Sequence, residues 1–277
     1  MADLNPEYYS VRKTPNRNQS VNFNYVFEPK TSNWVPMQQR ENVEGSLDYI
    51  LNNVQEYVHK FGSHPNINQN ASFENPYTIW DGSTKYVFPL NEGEAMEIVS
   101  DNTSDTQLMY IEGLDENFTK KIQEINLNGT TPVQLTGSWS RIHRSYNNGS
   151  EDLSGDVSVR GQETGNTFAK ILKGNNQTLM SVYTVPADFT GYLLKYSVTA
   201  QNIGSSSSIG FTVHMLIREH GKVFRVATRT SAGTNYSVQE EYPFPLKLNP
   251  RSDIIFNVVN ANGNNGSINA DFDIALL

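Results

Sequence analysis

The strongest constraint on this chain is a period of two. From Gln177 to Ala200 (QTLMSVYTVPADFTGYLLKYSVTA), Met180, Val182 and Thr184 alternate with Leu179, Tyr183 and Val185. Farther on, Tyr192, Leu194, Tyr196 and Val198 alternate with Lys195, Ser197 and Thr199. Successive side chains of a strand point to opposite faces, so such alternation buries one face of a sheet and wets the other. Pro186, Asp188 and Gly191 punctuate the two runs, because proline fixes φ and glycine opens backbone angles closed to other residues. The stretch therefore reads as a hairpin.

The same pattern recurs from Tyr77 to the last residue. It includes KYVFPL (85–90), AMEIVS (95–100), QLMYIEGL (107–114), and Ile122, Ile125 and Leu127 ahead of Asn128-Gly129, a pair that favours tight hairpins. Phe211, Val213, Met215 and Ile217 lead to a His220-Gly221 turn; Ile254, Phe256 and Val258 form another run, and Ile268 to Leu276 closes the chain. Strands spaced eight to twelve residues apart with turns between them predict an all-β fold: an antiparallel jelly-roll-like β-sandwich over 76–277. One sandwich is the preferred reading, with a sub-boundary placed near 147–156, where the sequence turns polar and rich in glycine and serine.

The first 75 residues differ. Residues 1–42 carry prolines at 6, 15, 29 and 36, which interrupt any helix, yet also the rings Tyr8, Tyr9, Phe23, Tyr25, Phe27 and Trp34. Large rings without periodicity predict an extended anchoring arm that buries them on a partner protein. Residues 43–62 place Leu47, Ile50, Leu51, Val54, Tyr57, Val58 and Phe61 at helical spacing, with Ser46 as N-cap and Gly62 as terminator. This predicts an amphipathic packing helix that needs a partner surface, followed by a linker over 63–75.

Composition narrows the chemistry. A net charge of −8 argues against a protein that tracks nucleic-acid phosphates, and Arg141, His143 and Arg144 read as a solvated strand face. There is no cysteine, hence no disulfide or thiolate metal site. The N-terminus lacks the apolar stretch of a secretory signal, no apolar run is long enough to cross a bilayer, and the Asn-X-Ser/Thr sequons at Asn117, Asn128 and Asn148 are discounted as glycosylation sites.

His59, His64, His143, His214 and His220 show no metal-binding spacing, although His214 and His220 flank one predicted hairpin. Asp271 and Asp273 share a strand face about 7 Å apart and read as solvent-exposed. The loop NANGNNGSINADFD is rich in oxygen ligands but lacks EF-hand spacing, and reads as an Asn/Gly turn. Trp80 and Trp139 are the rings best suited to stack on a sugar, with core packing the plainer reading. No catalytic, cofactor or metal residue is assigned.

Five phrases carry a likeness. WDGSTKYVFP from Trp80, IEGLDENF (111–118), EINLNGTTPVQLTGSWSRIHRSY (124–146), QTLMSVYTVPADFTGYLLKYSV (177–198) and VFRVATR (223–229) together resemble virion structural proteins of marine, cyanophage-type tailed bacteriophages. In that group a GLD-N turn precedes a TVTLNGTT-like strand, then a W/Y-x-R-hydrophobic strand, then a QTLMAVYTVP-type hairpin. The likeness spans roughly 78–277. It implies a non-enzymatic head decoration or fibre-like protein, assembled in the bacterial host cytoplasm and carried on the virion. Implied partners are major capsid or neck and tail proteins and further copies of itself, a trimer by analogy, with no nucleic acid and no membrane insertion. The alternative is a tail or neck module that binds a receptor or host surface glycan.

Overall fold

A computed structural model describes residues 46–67, 70–82, 84–203, 208–234, 236–263 and 265–277, together with two short N-terminal strands. Those strands, β1 (Tyr25–Glu28) and β2 (Asn33–Pro36), pair antiparallel with Phe27 opposite Trp34. Of the six arm rings, Tyr25, Phe27 and Trp34 thus fall on a β-ribbon, while Tyr8, Tyr9 and Phe23 lie outside the described residues.

The helix predicted over 43–62 is split. Helix α1 covers only Leu47–Asn53, and the Ser46 hydroxyl caps it by accepting from the Tyr49 amide at 3.2 Å. After Val54 the chain straightens into β3 (Glu56–Ile67), which pairs along β18 (Gly266–Leu276) from Glu56 opposite Leu276 to Ile67 opposite Gly266. The reason lies in the residues. Tyr57, Val58, His59, Lys60 and Phe61 fit a period of two as well as a helical one, and β-branched and aromatic residues favour strands. The edge of β18 then supplies backbone partners that a lone helix would lack.

Val58 packs against the core, while Tyr57 and Phe61 face outward. Gly62, expected to end a helix, is a mid-strand residue. A Cβ there would overlap the Ser181 backbone nitrogen and the Ile79 carbonyl oxygen. Residues 63–67 of the expected linker complete β3.

From here the fold is all-β and antiparallel, in two sandwiches instead of one. The first contains β5 (Glu94–Ser100), β6 (Leu108–Leu114), β7 (Lys120–Asn126), β8 (Val133–Trp139), β9 (Arg141–Asn147), β10 (Val157–Gly161) and β11 (Thr167–Ile171). Its sheets, ordered β11-β10-β5-β8 and β7-β6-β9, enclose Met96, Ile98, Met109, Ile111, Trp139 and Phe168.

The second sandwich adds β4 (Tyr77–Thr78), β12 (Val182–Thr184), β13 (Gly191–Asn202), β14 (Gly210–Arg218), β15 (Arg225–Gly233), β16 (Val238–Leu248) and β17 (Asp253–Ala261). Sheet β16-β13-β18-β3 covers sheet β12-β17-β14-β15, to which β4 is attached through β17, around Leu193, Tyr196, Phe211, Phe256 and Phe272. The first sandwich is therefore inserted in the second, between β4 and β12. The polar stretch 147–156 is only the β9–β10 loop. Its polarity is used locally: the buried Asp105 carboxylate accepts from the Ser154 and Gly155 amides and the Ser100 hydroxyl.

Two predicted hairpins prove to be arches between sheets. β12 pairs with β17 while β13 pairs with β16 and β18, so the opening stretch spans both sheets of the second sandwich. Likewise β7 joins β6 and β8 joins β5 across Asn128-Gly129, although Gly129 does adopt the expected positive φ of 57°. Turn residues reverse the chain; the sheet edge that the next strand meets decides its partner. The His220-Gly221 turn does connect a paired hairpin, β14–β15. A register slip between Leu193 and Lys195 also corrects the alternation in β13: Leu193 enters the core, while Tyr192 and Leu194 pack with Ile50 of α1 and Ala275.

Candidate functional site at the joint of the two sandwiches

The sequence SWSRIHRSY mixes apolar and polar residues on both faces, and the structure shows why. β8 ends at Trp139 and β9 starts at Arg141, with a register slip opposite Gly113. The slip turns Arg141 into the joint between the sandwiches. It is 2 % exposed, and His143 beside it is 3 % exposed, so these are no solvated face; only Arg144 of the three is exposed.

Each part of the Arg141 guanidinium is engaged. Nε donates to Thr184 Oγ1 and Asp253 Oδ1, both at 3.0 Å. Nη1 donates to the Ser140 carbonyl at 2.6 Å, and Nη2 to Asn91 Oδ1 at 2.9 Å. Phe88 and Phe118 lie against the group, with ring centroids 5.1 and 4.9 Å from Cζ. Asp253 on β17 accepts in turn from the Thr184 hydroxyl at 2.5 Å and from Arg218 Nε at 2.7 Å. Arg218 rests on Phe88 and Phe224 at 4.8 and 4.4 Å. Phe118 is placed by the Asp115 turn and has a positive φ of 63°, a conformation non-glycine residues seldom take. The network thus joins β9 and two loops of the first sandwich to β12, β14 and β17 of the second. The Arg141 and Asp253 groups have their hydrogen-bonding positions engaged across both sandwiches, an arrangement suited to holding the two together.

Beside this joint runs a groove of about 530 Å3 between β3, the β6–β9 pair and the 177–183 connector. Lys60 from β3 is buried there and donates to the His143 carbonyl. Burial pulls its ammonium down to about 8, with Glu112 opposing the shift and Arg144 adding to it. His143 accepts from the Thr184 amide through Nε2 at 3.3 Å and packs on Tyr183, ring centroids 4.3 Å apart. Burial, then the charges of Lys60, Arg141 and Lys120, hold this imidazole well below its ordinary pKa, so it is neutral at pH 7.

On the outer face of β3 and β18, Asp273 is 3 % exposed, contrary to the solvent-exposed reading. It binds His59 Nδ1 at 2.6 Å, the Tyr57 hydroxyl at 2.9 Å and Lys195 Nζ at 3.0 Å. Burial alone would raise this carboxyl; bonds from His59, Lys195 and Tyr57 outweigh it and hold the group below the carboxylate range. Asp271, two residues away, accepts from the Ser197 hydroxyl.

The other sequence candidates separate. His214 packs on Phe73 and His220 on Phe118, so the two histidines serve different neighbours. Among the described residues no group of three His, Cys, Asp or Glu side chains is placed to hold a metal. Trp80 and Trp139 are core residues, 4 % and 0 % exposed. Of the helical stripe, Ile50 is buried, Leu47 and Leu51 are exposed, and Val54 caps α1. Sequence reasoning missed Thr184, Asp253 and Lys60. Thr184 sits in a strand pattern and Lys60 within the segment read as a helix, neither with a mark of its own, and Asp253 follows a turn where an acidic residue is ordinary.

No helix of the described residues is long and apolar enough to cross a membrane. No protein-family model and no curated protein matches the chain. Among solved structures, the crystal structure of PBSX exported protein XepA is similar at 10 % identity, over 79 % of this chain and 85 % of that one. The TM-score is 0.20, a level that carries no argument about fold or role.

Proposed function

We propose that this chain is a non-enzymatic structural protein of a bacteriophage virion, of head-decoration or fibre-like kind. Its N-terminal segment anchors it to capsid or neck proteins, and the two sandwiches project. The observation that carries this reading is where the five resemblance phrases meet. Phe88 and Pro89 come from the first, Phe118 from the second, Arg141 from the third, Thr184 from the fourth and Phe224 from the fifth, and all line the Arg141 joint. The likeness thus resides in residues that lock two sandwiches into one body, which suits a part whose task is mechanical.

Deletion of residues 1–42 in a phage encoding the chain tests the reading. Particles should then lack the protein by mass spectrometry while the truncated chain accumulates folded in the lysate. Undiminished incorporation would sink the anchoring role.

A further inference from the structure

The groove beside the joint holds a feature that a mechanical role leaves unexplained. Its volume of about 530 Å3 is that of a small-ligand cleft, and both sandwiches contribute to its walls. At its floor Lys60 is 8 % exposed. Removing an ammonium from water is costly unless a carboxylate neutralises it. Arg141 and Asp273, also buried, each meet an opposite charge. Lys60 meets only the His143 carbonyl and forms no ion pair among the described residues. Around it the groove carries a second cation, Arg144, the amide of Gln177 and two carboxylates: Glu112, opposite Arg144 in register, and Glu56, which is already paired with Lys120. Two exposed rings of β3, Tyr57 and Phe61, complete the lining, with the Tyr57 hydroxyl fixed on Asp273.

We propose that this groove binds a sugar residue bearing a carboxylate. The carboxylate pairs with Lys60 and Arg144, hydroxyls bond Glu112 and Gln177, and the C–H face of the ring lies on Tyr57 or Phe61. Charge-assisted bonds to two cations supply selectivity for the acid, and the rings supply area without selectivity for charge. This goes beyond the structural role and stands or falls independently of it.

The test is calorimetric titration of the full chain at pH 7 with galacturonic acid, its trimer, and galactose as the neutral match. The acid should bind at least tenfold tighter than galactose. Tighter binding of the trimer would assign a polymer along the groove, and equal binding a single residue; both support the site. Lys60→Met should weaken the acid at least tenfold, and Glu112→Gln should strengthen it by removing a like charge. Arg144→Ala, at an exposed position where folding is not at stake, should weaken the acid at least threefold. The proposal is overturned by no saturable binding of either acid up to about 20 mM. It is equally overturned by equal affinity for galactose, or by unchanged binding in both Lys60→Met and Arg144→Ala.

Discussion

At the scale of single residues, buried charge decides most. Arg141 and Asp253 are 2 % exposed each, and a buried charge stripped of its partner is strongly destabilising. Arg141→Met should therefore cost about 3 kcal/mol, the lower end for such a loss, because Arg218 still faces Asp253. Urea unfolding of the two proteins measures it, and a loss below about 1 kcal/mol would show the joint is not held there. Asp81 gives a pH signature. Burial pushes its carboxyl up to about 6, against hydrogen bonds from Asn175 and the Leu179 and Leu172 backbone. A folded-state pKa above the unfolded value near 3.8 means the folded chain holds the proton more tightly. The stability this adds is complete below pH 3.8 and is lost as pH rises through 6. Asp81→Asn should remove that contribution, so that in thermal melts the variant gains on the parent as pH rises from 4 to 7. His143 and His214, held below the ordinary imidazole value, add the opposite slope to both proteins alike, and Asp273, shifted downward, contributes little there.

At the scale of elements, the segment from Val54 to Phe61 shows how two periods compete. Its apolar residues fit both a helix and a strand, and local preference could not choose between them. β18 chose, by offering a free edge along which ten backbone positions pair. Gly62 sits where that edge strand passes against Ser181 and Ile79. Gly62→Ala should destabilise by about 1–3 kcal/mol, as overpacking does, and a melt equal to wild type would show that β3 yields easily. The surviving helix makes a finer distinction. Ile50 is 0 % and Leu51 50 % exposed. Ile50→Asp should lower the melting temperature, whereas Leu51→Asp should shift stability by no more than about 0.5 kcal/mol. A Leu51→Asp variant that changes the mass by light scattering would instead place α1 in an oligomer contact.

At the scale of the whole molecule, insertion of one sandwich within the other makes the Arg141 joint, with Val182 and Ile255 of the second sandwich packed into the first core beside it, a feature that both sandwiches share. Trp80 and Trp139 lie in the core of the first sandwich, so tryptophan fluorescence reports chiefly there, while far-UV circular dichroism reports on both. In the full chain the two signals should trace one unfolding transition; in Arg141→Met they should separate into two. Coincident curves in the variant would mean that apolar contacts across the joint couple the sandwiches without the guanidinium. Much of this fold was legible beforehand: most strands from 94 onward, the β14–β15 hairpin, the Ser46 cap and the burial of Trp80 and Trp139 follow from side-chain period and turn chemistry, which are local. By contrast, β10, β11 and β16 carried no clear period, and KYVFPL (85–90) reads as a strand but pairs with no sheet. The arches at Asn128-Gly129 and Pro186 were not legible, because a turn motif reverses the chain without naming the sheet it enters. Nor was the joint, since Arg141, Thr184 and Asp253 lie up to 112 positions apart in sequence and acquire meaning only on meeting. The sequence by itself determined that the chain is antiparallel β with an amphipathic start; the tertiary structure decided that it forms two sandwiches, that residues 56–67 are a strand, and where buried charge is paired, because edge pairing and desolvation depend on neighbours that only the folded chain brings together.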